Sequence, residues 1–255
     1  MKILITGDRG FIGQNMVDAL EDHDLKYFEW GETYPDVTGL DWAIHLGAIS
    51  STTERNIEKI MEQNYDFSVW LLHQCQEKGV NFQYASSASV YGLKQNFQET
   101  APVDPLSPYA WTKYLFDRYV AEREWPGIFV QGFRYFNVYG KYEDHKGGQA
   151  SPFYQFERQA KETGVIKLFE GSENYLRDFV PVETVCAVHR KFFDVYESGI
   201  WNVGTGETMS FKEIAELYAA LYNASIEYIP MPDKIKNQYQ TYTCADVTRL
   251  RKHYP

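Results

Sequence analysis

Gly7, Gly10 and Gly13 stand three residues apart, between the apolar run Ile3-Leu4-Ile5 and a stretch with apolar residues at Met16, Val17, Ala19 and Leu20. A strand that passes straight into a helix leaves little room for the turn. One glycine permits the tight turn, one lets the backbone approach a diphosphate, and one lets helix and strand pack closely. The helix N-terminus then offers free N–H groups and a partial positive charge to the phosphates. Strand, glycine turn and helix in this order predict a dinucleotide-binding unit at the start of the chain.

The remaining pattern extends that unit. Strand-like runs cover 25–30, 42–46, 82–87 and 127–135, and helical patterns cover 14–21, 53–78 and 109–123. Residues 31–41 read as loop. Alternating strands and helices of these lengths predict an α/β fold, a Rossmann-like parallel sheet with helices on both faces. Hydrophobic residues make up 44% and charged residues 24% of the 255, the balance of a soluble globular protein. No stretch approaches the roughly 20 apolar residues of a membrane span, and the N-terminus lacks a signal pattern, so a cytoplasmic location and no membrane partner are expected. A net charge of −10 disfavours a nucleic-acid partner. The three cysteines, Cys75, Cys186 and Cys244, form no CxxC pair, and the six histidines are dispersed, so no disulfide framework and no metal site are expected.

Two groups of side chains point to chemistry. Glu29, at the end of the second strand, can accept hydrogen bonds from an adenosine ribose and would oppose a 2′-phosphate, which favours NAD over NADP. Arg9, inside the glycine turn, would attract that phosphate, so NADP or NAD both stand as cofactors. Tyr109 and Lys113 are four apart and share a helix face. A lysine held beside a tyrosine lowers the phenol's pKa and suits it to proton exchange with a substrate hydroxyl. Ser87 ends the preceding strand, on the side where parallel sheets bind ligands, and can hydrogen-bond the same substrate oxygen. Trp30, Trp42 and Trp201 read as packing, and Asn202-Val203-Gly204-Thr205-Gly206 as a strand with a tight turn.

The glycine turn, Ser86-Ser87-Ala88-Ser89-Val90-Tyr91-Gly92 and Tyr109…Lys113 together resemble the extended short-chain dehydrogenase/reductase family, the NAD-dependent epimerases and dehydratases of nucleotide sugars. Within it, Gly47 to Glu54, Gly132 to Gly140, His145-Lys146-Gly147, Leu168 to Val180 and Tyr228 to Lys234 with Tyr239-Gln240 resemble the ADP-L-glycero-D-manno-heptose 6-epimerases. The resemblance implies an isomerase with Tyr109 as one catalytic acid/base, Lys146 as a second on the opposite side of the sugar, Ser87 in support, and Lys113 holding the nicotinamide ribose. It implies cofactor contacts at Phe11, Ile12, Gly47, Ala48, Ile49, Ser50, Ser51 and Asn64. Substrate contacts follow at Ser87, Asn137, Val138, Phe169, Glu170, Gly171, Ser172, Arg177 and Tyr239. Arg177 would fork onto the diphosphate, or else pair with Asp178.

On this resemblance, residues 1–135, 181–207 and 242–255 are expected to form the NAD(P)-binding Rossmann domain, and 136–180 and 208–241 a discontinuous substrate domain. The expected partner is a nucleotide-diphosphate sugar, with a homo-oligomer open. The expected reaction inverts C6 of the ADP-heptose by transient oxidation and re-reduction. C4 epimerisation of a UDP- or GDP-sugar is the near rival, and a non-catalytic dinucleotide sensor the alternative outside enzymes. The chain departs from the pattern in three places. The stretch between Glu29 and Trp42 is too short for the usual further βα unit, Gly148 and Gln155 replace an expected serine and histidine, and the chain stops at Tyr254-Pro255.

Overall fold

A computed structural model describes residues 1–51, 54–232 and 240–255. The first half builds a parallel sheet. Strands β1 (Lys2–Thr6), β2 (Asp24–Phe28), β3 (Trp42–His45), β4 (Asn81–Ser87) and β5 (Val130–Tyr135) join it in turn. A sixth strand joins it from the second half of the chain. Helix α1 (Phe11–Ala19) follows the glycine turn, and α2 (Ile57–Met61) and α3 (Phe67–Lys78) flank a π-helical turn at Glu62–Asp66. Helix α4 (Pro108–Ala121) precedes β5. It begins at Ser107, whose hydroxyl accepts from Ala110 N at 3.1 Å, with Pro108 in the first turn where its missing N–H costs nothing. The helical pattern over 53–78 is therefore broken by a π turn, and Thr52 and Thr53 lie outside the described residues.

The second half contributes short elements. They are β6 (Asn137–Tyr139), a 3₁₀ turn at Asp144–Gln149, α5 (Pro152–Thr163), β7 (Val165–Phe169), β8 (Leu176–Arg177), β9 (Phe179–Pro181) and α6 (Val182–Phe192). Then follow β10 (Gly199–Val203), β11 (Met209–Ser210), α7 (Phe211–Tyr222), β12 (Ser225–Ile229) and β13 (Tyr242–Thr243). The main sheet has the order β10-β5-β4-β3-β1-β2, parallel throughout. Smaller sheets pair β7 with β12, β6 with β9, and β8 with β11 and β13. Strand β13, which the sequence expectation grouped with the Rossmann segments, thus pairs with β8 of the 136–180 segment.

The short stretch after β2 has a clear structural consequence. Strand β2 is the sheet edge, and residues 29–41 cross directly to β3, near the minimum length for a parallel crossover. The crossover itself holds no helix, and its side chains pack against α3. Val37 and Leu40 are 2% and 6% exposed and pack with Phe28, Phe67 and Leu71 in one core cluster. Tyr34 packs edge-on to Phe67 and beside Trp70. Burying two aliphatic side chains is worth roughly 1.5–3 kcal/mol each, enough to hold a loop that lacks regular hydrogen bonding.

Helix α4 is anchored to the sheet by a buried ion pair. Arg134 Nε on β5 meets Asp117 Oδ2 on α4 at 2.8 Å, both side chains at most 5% exposed. Tyr84 donates to the other carboxylate oxygen at 3.1 Å, and Arg134 also donates to Tyr91 Oη and Glu99 O. Asp117 lies one turn beyond Lys113, so this anchor sets the face that α4 presents.

Two histidines are buried and fully bonded. His189 accepts from Tyr135 Oη and donates to Gln83 Oε1 at 2.7 Å. Around His45 the donors order themselves. Ser68 Oγ donates to Asn64 O at 2.6 Å, so His45 Nε2–H donates to Ser68, and Thr6 donates to His45 Nδ1 at 2.7 Å. Thr6 Oγ1 in turn accepts from Gly47 N. Burial pulls both imidazoles down to about 3. Unfolded histidine takes a proton near pH 6.5, so between pH 6.5 and 3 the unfolded chain binds protons that the native one refuses. Stability therefore falls as pH drops below 6.5. At pH 5 the expected loss is about 2 kcal/mol per histidine. Urea unfolding at pH 7 and pH 5 measures it, and His189→Gln should halve the pH 6.5–5 slope.

Candidate active site

The carboxyl ends of β1, β3 and β4 open onto one cleft. Gly7 sits at the end of β1 with φ +75°, and a Cβ there would lie 2.6 Å from Gly47 Cα after β3. A Cβ on Gly13 would lie 1.9 Å from Gly7 O. Two backbone turns and a helix start are thus pressed together with no side chains between them. Helix α1 begins at Gly10 with no side-chain cap and no acidic residue in its first turn, which leaves its end open to an anion.

Behind this turn is a cavity of about 170 Å³, lined by Phe28, Glu29, Trp30, Gly47, Ala48, Ile49, Gln63 and Phe67 with Thr6 and Gly7. It sits beside the shortened crossover. Glu29 Oε1 accepts from Arg9 N at 3.2 Å, and Arg9 Nη2 pairs with Glu32 at 3.0 Å. Arg9 is thereby occupied by Glu32, and Glu29 and Glu32 together oppose a 2′-phosphate. A glycine cradle, an uncapped helix start, an aromatic slot and a strand-end carboxylate fit a dinucleotide with an unmodified adenosine ribose, that is NAD.

A second cavity, about 410 Å³, continues from the glycine turn to α4. Gly10, Phe11, Ile12, Gly13, Ser50, Tyr109, Lys113 and Lys146 line it, along with Tyr135 and His145, motif residues to which the sequence assigned no role. Lys113 donates to Ala85 O at 2.8 Å, and its Nζ is 5.8 Å from the Tyr109 ring centre. Burial brings Lys113 down to about 8 against the opposing pull of Asp117. Burial also pushes the Tyr109 phenol up, with a hydrogen bond from Ser87 working the other way. This corrects the sequence expectation of a lowered phenol. The desolvation of Tyr109 outweighs the hydrogen bond with Ser87. Ser87 supports Tyr109 from the side and also accepts from Ser89 N at 3.1 Å.

Lys146 reaches the same cleft from the 3₁₀ turn at 144–149. Its Nζ lies 4.5 Å from the Phe11 ring centre and 3.5 Å from Glu143 Oε2. Burial lowers its pKa, and the Glu143 carboxylate opposes that. Tyr109 and Lys146 therefore enter one cavity from different elements.

Several expected contacts are placed differently. Asn64, 2% exposed in the π turn, spends its amide inside the protein. It accepts from Ile49 N at 2.8 Å and donates to Ile49 O and to Thr112 Oγ1 of α4. It ties the loop after β3 to α4, and π turns recur at functional positions. Ser51 accepts from Gln149 Nε2 at 3.0 Å, joining that loop to the Lys146 turn. Gln155 donates to Ala150 O at 2.6 Å and to Gly148 O at 3.3 Å, so it braces the Lys146 turn from α5.

Phe169 and Ser172 line a third cavity of about 460 Å³ beside α5, β7 and α7. Glu170 is exposed there, and Gly171 takes φ +78° between them. Ser172 is 1% exposed, and its hydroxyl has no partner among the described residues. Asn137 donates to Asp178 O and Thr243 Oγ1, and Val138 packs in the core. Among the described residues Arg177 and Asp178 have separate hydrogen-bond partners. Asp178 accepts from Thr205, Gly206 and Ala245 N–H groups, fixing the turn after β10, while Arg177 donates to Leu176 O and Gln240 O over the Phe211 ring. Tyr239 lies outside the described residues. Among those residues no cluster suits a metal ion, and no helix is long and apolar enough to cross a membrane.

Comparison with known proteins agrees with this geometry. The sequence profile of the NAD dependent epimerase/dehydratase family matches residues 3–204. The Helicobacter pylori ADP-L-glycero-D-manno-heptose-6-epimerase superimposes with a TM-score of 0.88 at 27% identity, covering 99% of this chain and 89% of its own. The Thermus thermophilus UDP-glucose 4-epimerase, solved with NAD, gives 0.81 at 25% over 99% and 92%. The UDP-N-acetylglucosamine 4-epimerase of Methanobrevibacter ruminantium gives 0.89 at 21% over 100% and 92%, a likeness of fold.

Proposed function

The chain belongs to the NAD dependent epimerase/dehydratase family of nucleotide-sugar enzymes, and from that premise we propose that it inverts C6 of ADP-D-glycero-D-manno-heptose to give the L-glycero epimer. The observation that carries this reading is the entry of two proton-transfer groups, Tyr109 and Lys146, into one cleft from separate elements. Inversion needs a carbonyl to be formed on one face and reduced on the other, and a second acid/base serves the second face. Bound NAD supplies the acceptor and donor of the hydride.

In this reading whichever of Tyr109 and Lys146 begins a turnover deprotonated takes the proton of the reacting hydroxyl as hydride leaves the carbon, and the other, protonated, gives a proton to the carbonyl oxygen once the sugar is turned. The hydride returns to the carbon, and the two groups recover their starting protonation by exchange with solvent, so no net redox change occurs. Lys113 keeps positive charge near Tyr109 below about pH 8, which favours the phenolate at the moment it forms. Ser87 hydrogen-bonds Tyr109 and the reacting oxygen. Phe11 closes one wall behind Lys146. The cavity holding Phe169 and Ser172 receives the nucleoside end, and its unpartnered serine is the donor waiting there.

The His145-Lys146-Gly147 loop and the Phe169-to-Ser172 run support a heptose in preference to a C4 epimerisation of a UDP- or GDP-sugar. Gly148 and Gln155, where a serine and a histidine were expected, line the cavity that also holds Phe169 and Ser172, and they keep the C4 reading as the second one. NMR of the purified protein with NAD and ADP-D-glycero-D-manno-heptose decides between them. Appearance of the L-glycero epimer without net NADH supports the proposal. An unchanged heptose, with turnover of a UDP-hexose in the same preparation, overturns it in favour of C4 chemistry.

A further inference from the structure

Glu143 is the least exposed ionisable residue of the Lys146 turn, 1% accessible, and lies three residues before Lys146. A carboxylate so far from water must be paid for by partners. One oxygen accepts from Gly140 N at 3.1 Å and from Ser151 Oγ at 2.7 Å. The other accepts from Ser151 N at 2.6 Å and faces Lys146 Nζ at 3.5 Å. The Glu143 backbone carbonyl also accepts from Lys146 N at 2.9 Å. Ser151 is the N-cap of α5, its hydroxyl accepting from Tyr154 N. The carboxylate therefore joins the end of β6, the start of α5 and the Lys146 side chain in a single buried knot.

We propose that Glu143 is the positioning residue for Lys146: its carboxylate holds the turn closed and supplies the counter-charge that keeps the ammonium in the cleft before Phe11. The inference rests on Lys146 being a proton-transfer group. Glu143 does not line the cleft, so it acts through Lys146 and not on substrate. The other ionisable groups around that cleft are Arg9 and Glu29 at the glycine turn, Tyr109 and Lys113 on α4, Tyr135 at the end of β5, and His145 on the same turn. Lys113 and Arg9 are cations and cannot replace the counter-charge, and Glu29 is engaged with Arg9 N across the turn. A partly buried amine with an opposite charge at this distance stays protonated to higher pH than the same amine alone.

The test is competitive acetylation of Lys146 by acetic anhydride across pH 7–11, read by mass spectrometry against exposed Lys26 in the same protein. In Glu143→Gln the midpoint of Lys146 reactivity should fall by about one pH unit, exposing up to about ten times more free amine at pH 8. Glu143→Asp, which keeps the charge but draws it back, should shift it the same way by less, and serves alone if the glutamine variant does not fold. A midpoint that is unchanged or higher in the folded variant overturns the proposal. If the heptose assay is active, Glu143→Gln should lower kcat and move its pH profile while KM stays within about twofold. The acetylation profile needs no sugar. A shifted profile beside an inactive heptose assay removes the substrate assignment and keeps Glu143 in its role, while an unshifted profile in an active enzyme removes Glu143 alone.

Discussion

Replacing Tyr109 by phenylalanine is expected to lower turnover about a thousandfold, within the span typical of a lost acid/base group, and to leave the fold and NAD affinity nearly unchanged. The phenyl ring keeps its place on α4, because that helix is held by the Asp117–Arg134 pair and not by the phenol. Only the hydroxyl is removed, and with it the hydrogen bond to Ser87. A thousandfold loss corresponds to about 4 kcal/mol of transition-state stabilisation. Rate measurement on the nucleotide sugar and calorimetric titration with NAD together make the check. Equal loss in binding and rate would make Tyr109 a cofactor contact, and an unaffected rate would end its role as acid/base. Burial holds this phenol up in the free protein, so the wild type should bring a neutral donor to the cleft at pH 7.

Gly13→Ala should have the largest effect on the cofactor. Its methyl would lie 1.9 Å from Gly7 O and 2.8 Å from Asp8 Cα, both backbone, so no side-chain rotation relieves the clash. The turn must open or α1 must move off β1. Either displaces the helix N-terminus that faces the phosphates. A loss of at least about hundredfold in NAD affinity, roughly 2.7 kcal/mol, is expected. The free protein should also lose about 1–3 kcal/mol of stability, the usual cost of overpacking. Titration with NAD and urea unfolding of the free variant measure the two effects separately. A variant as stable as wild type with normal NAD affinity would show that the turn has slack the geometry denies.

The parts of this protein that were legible in the sequence are those written in short-range geometry. Three glycines three residues apart constrain one turn, whatever surrounds it. Tyr109 and Lys113 share a helix face because 3.6 residues make a turn, and Ser87 reaches them because it ends a parallel strand. The alternation of strands and helices gives the sheet for the same reason, and the family resemblance was carried by local motifs.

Other features depend on which distant residues come together. Asn64 matched a cofactor contact, yet its amide is consumed by Ile49 and Thr112, 15 and 48 residues away. Arg177 and Asp178 are sequence neighbours that each bond elsewhere. Glu143 could have been noticed three residues before Lys146, but its burial follows from the packing of α5 against the turn. The sign of the Tyr109 shift was misjudged because charge proximity can be guessed from spacing while desolvation cannot. By itself the sequence determined the turn, the helix face and the chemistry of the groups upon them, since these follow from covalent geometry and periodicity. The tertiary structure alone decided which polar groups are spent on one another and how far each is removed from water, since burial is a property of the whole packed chain.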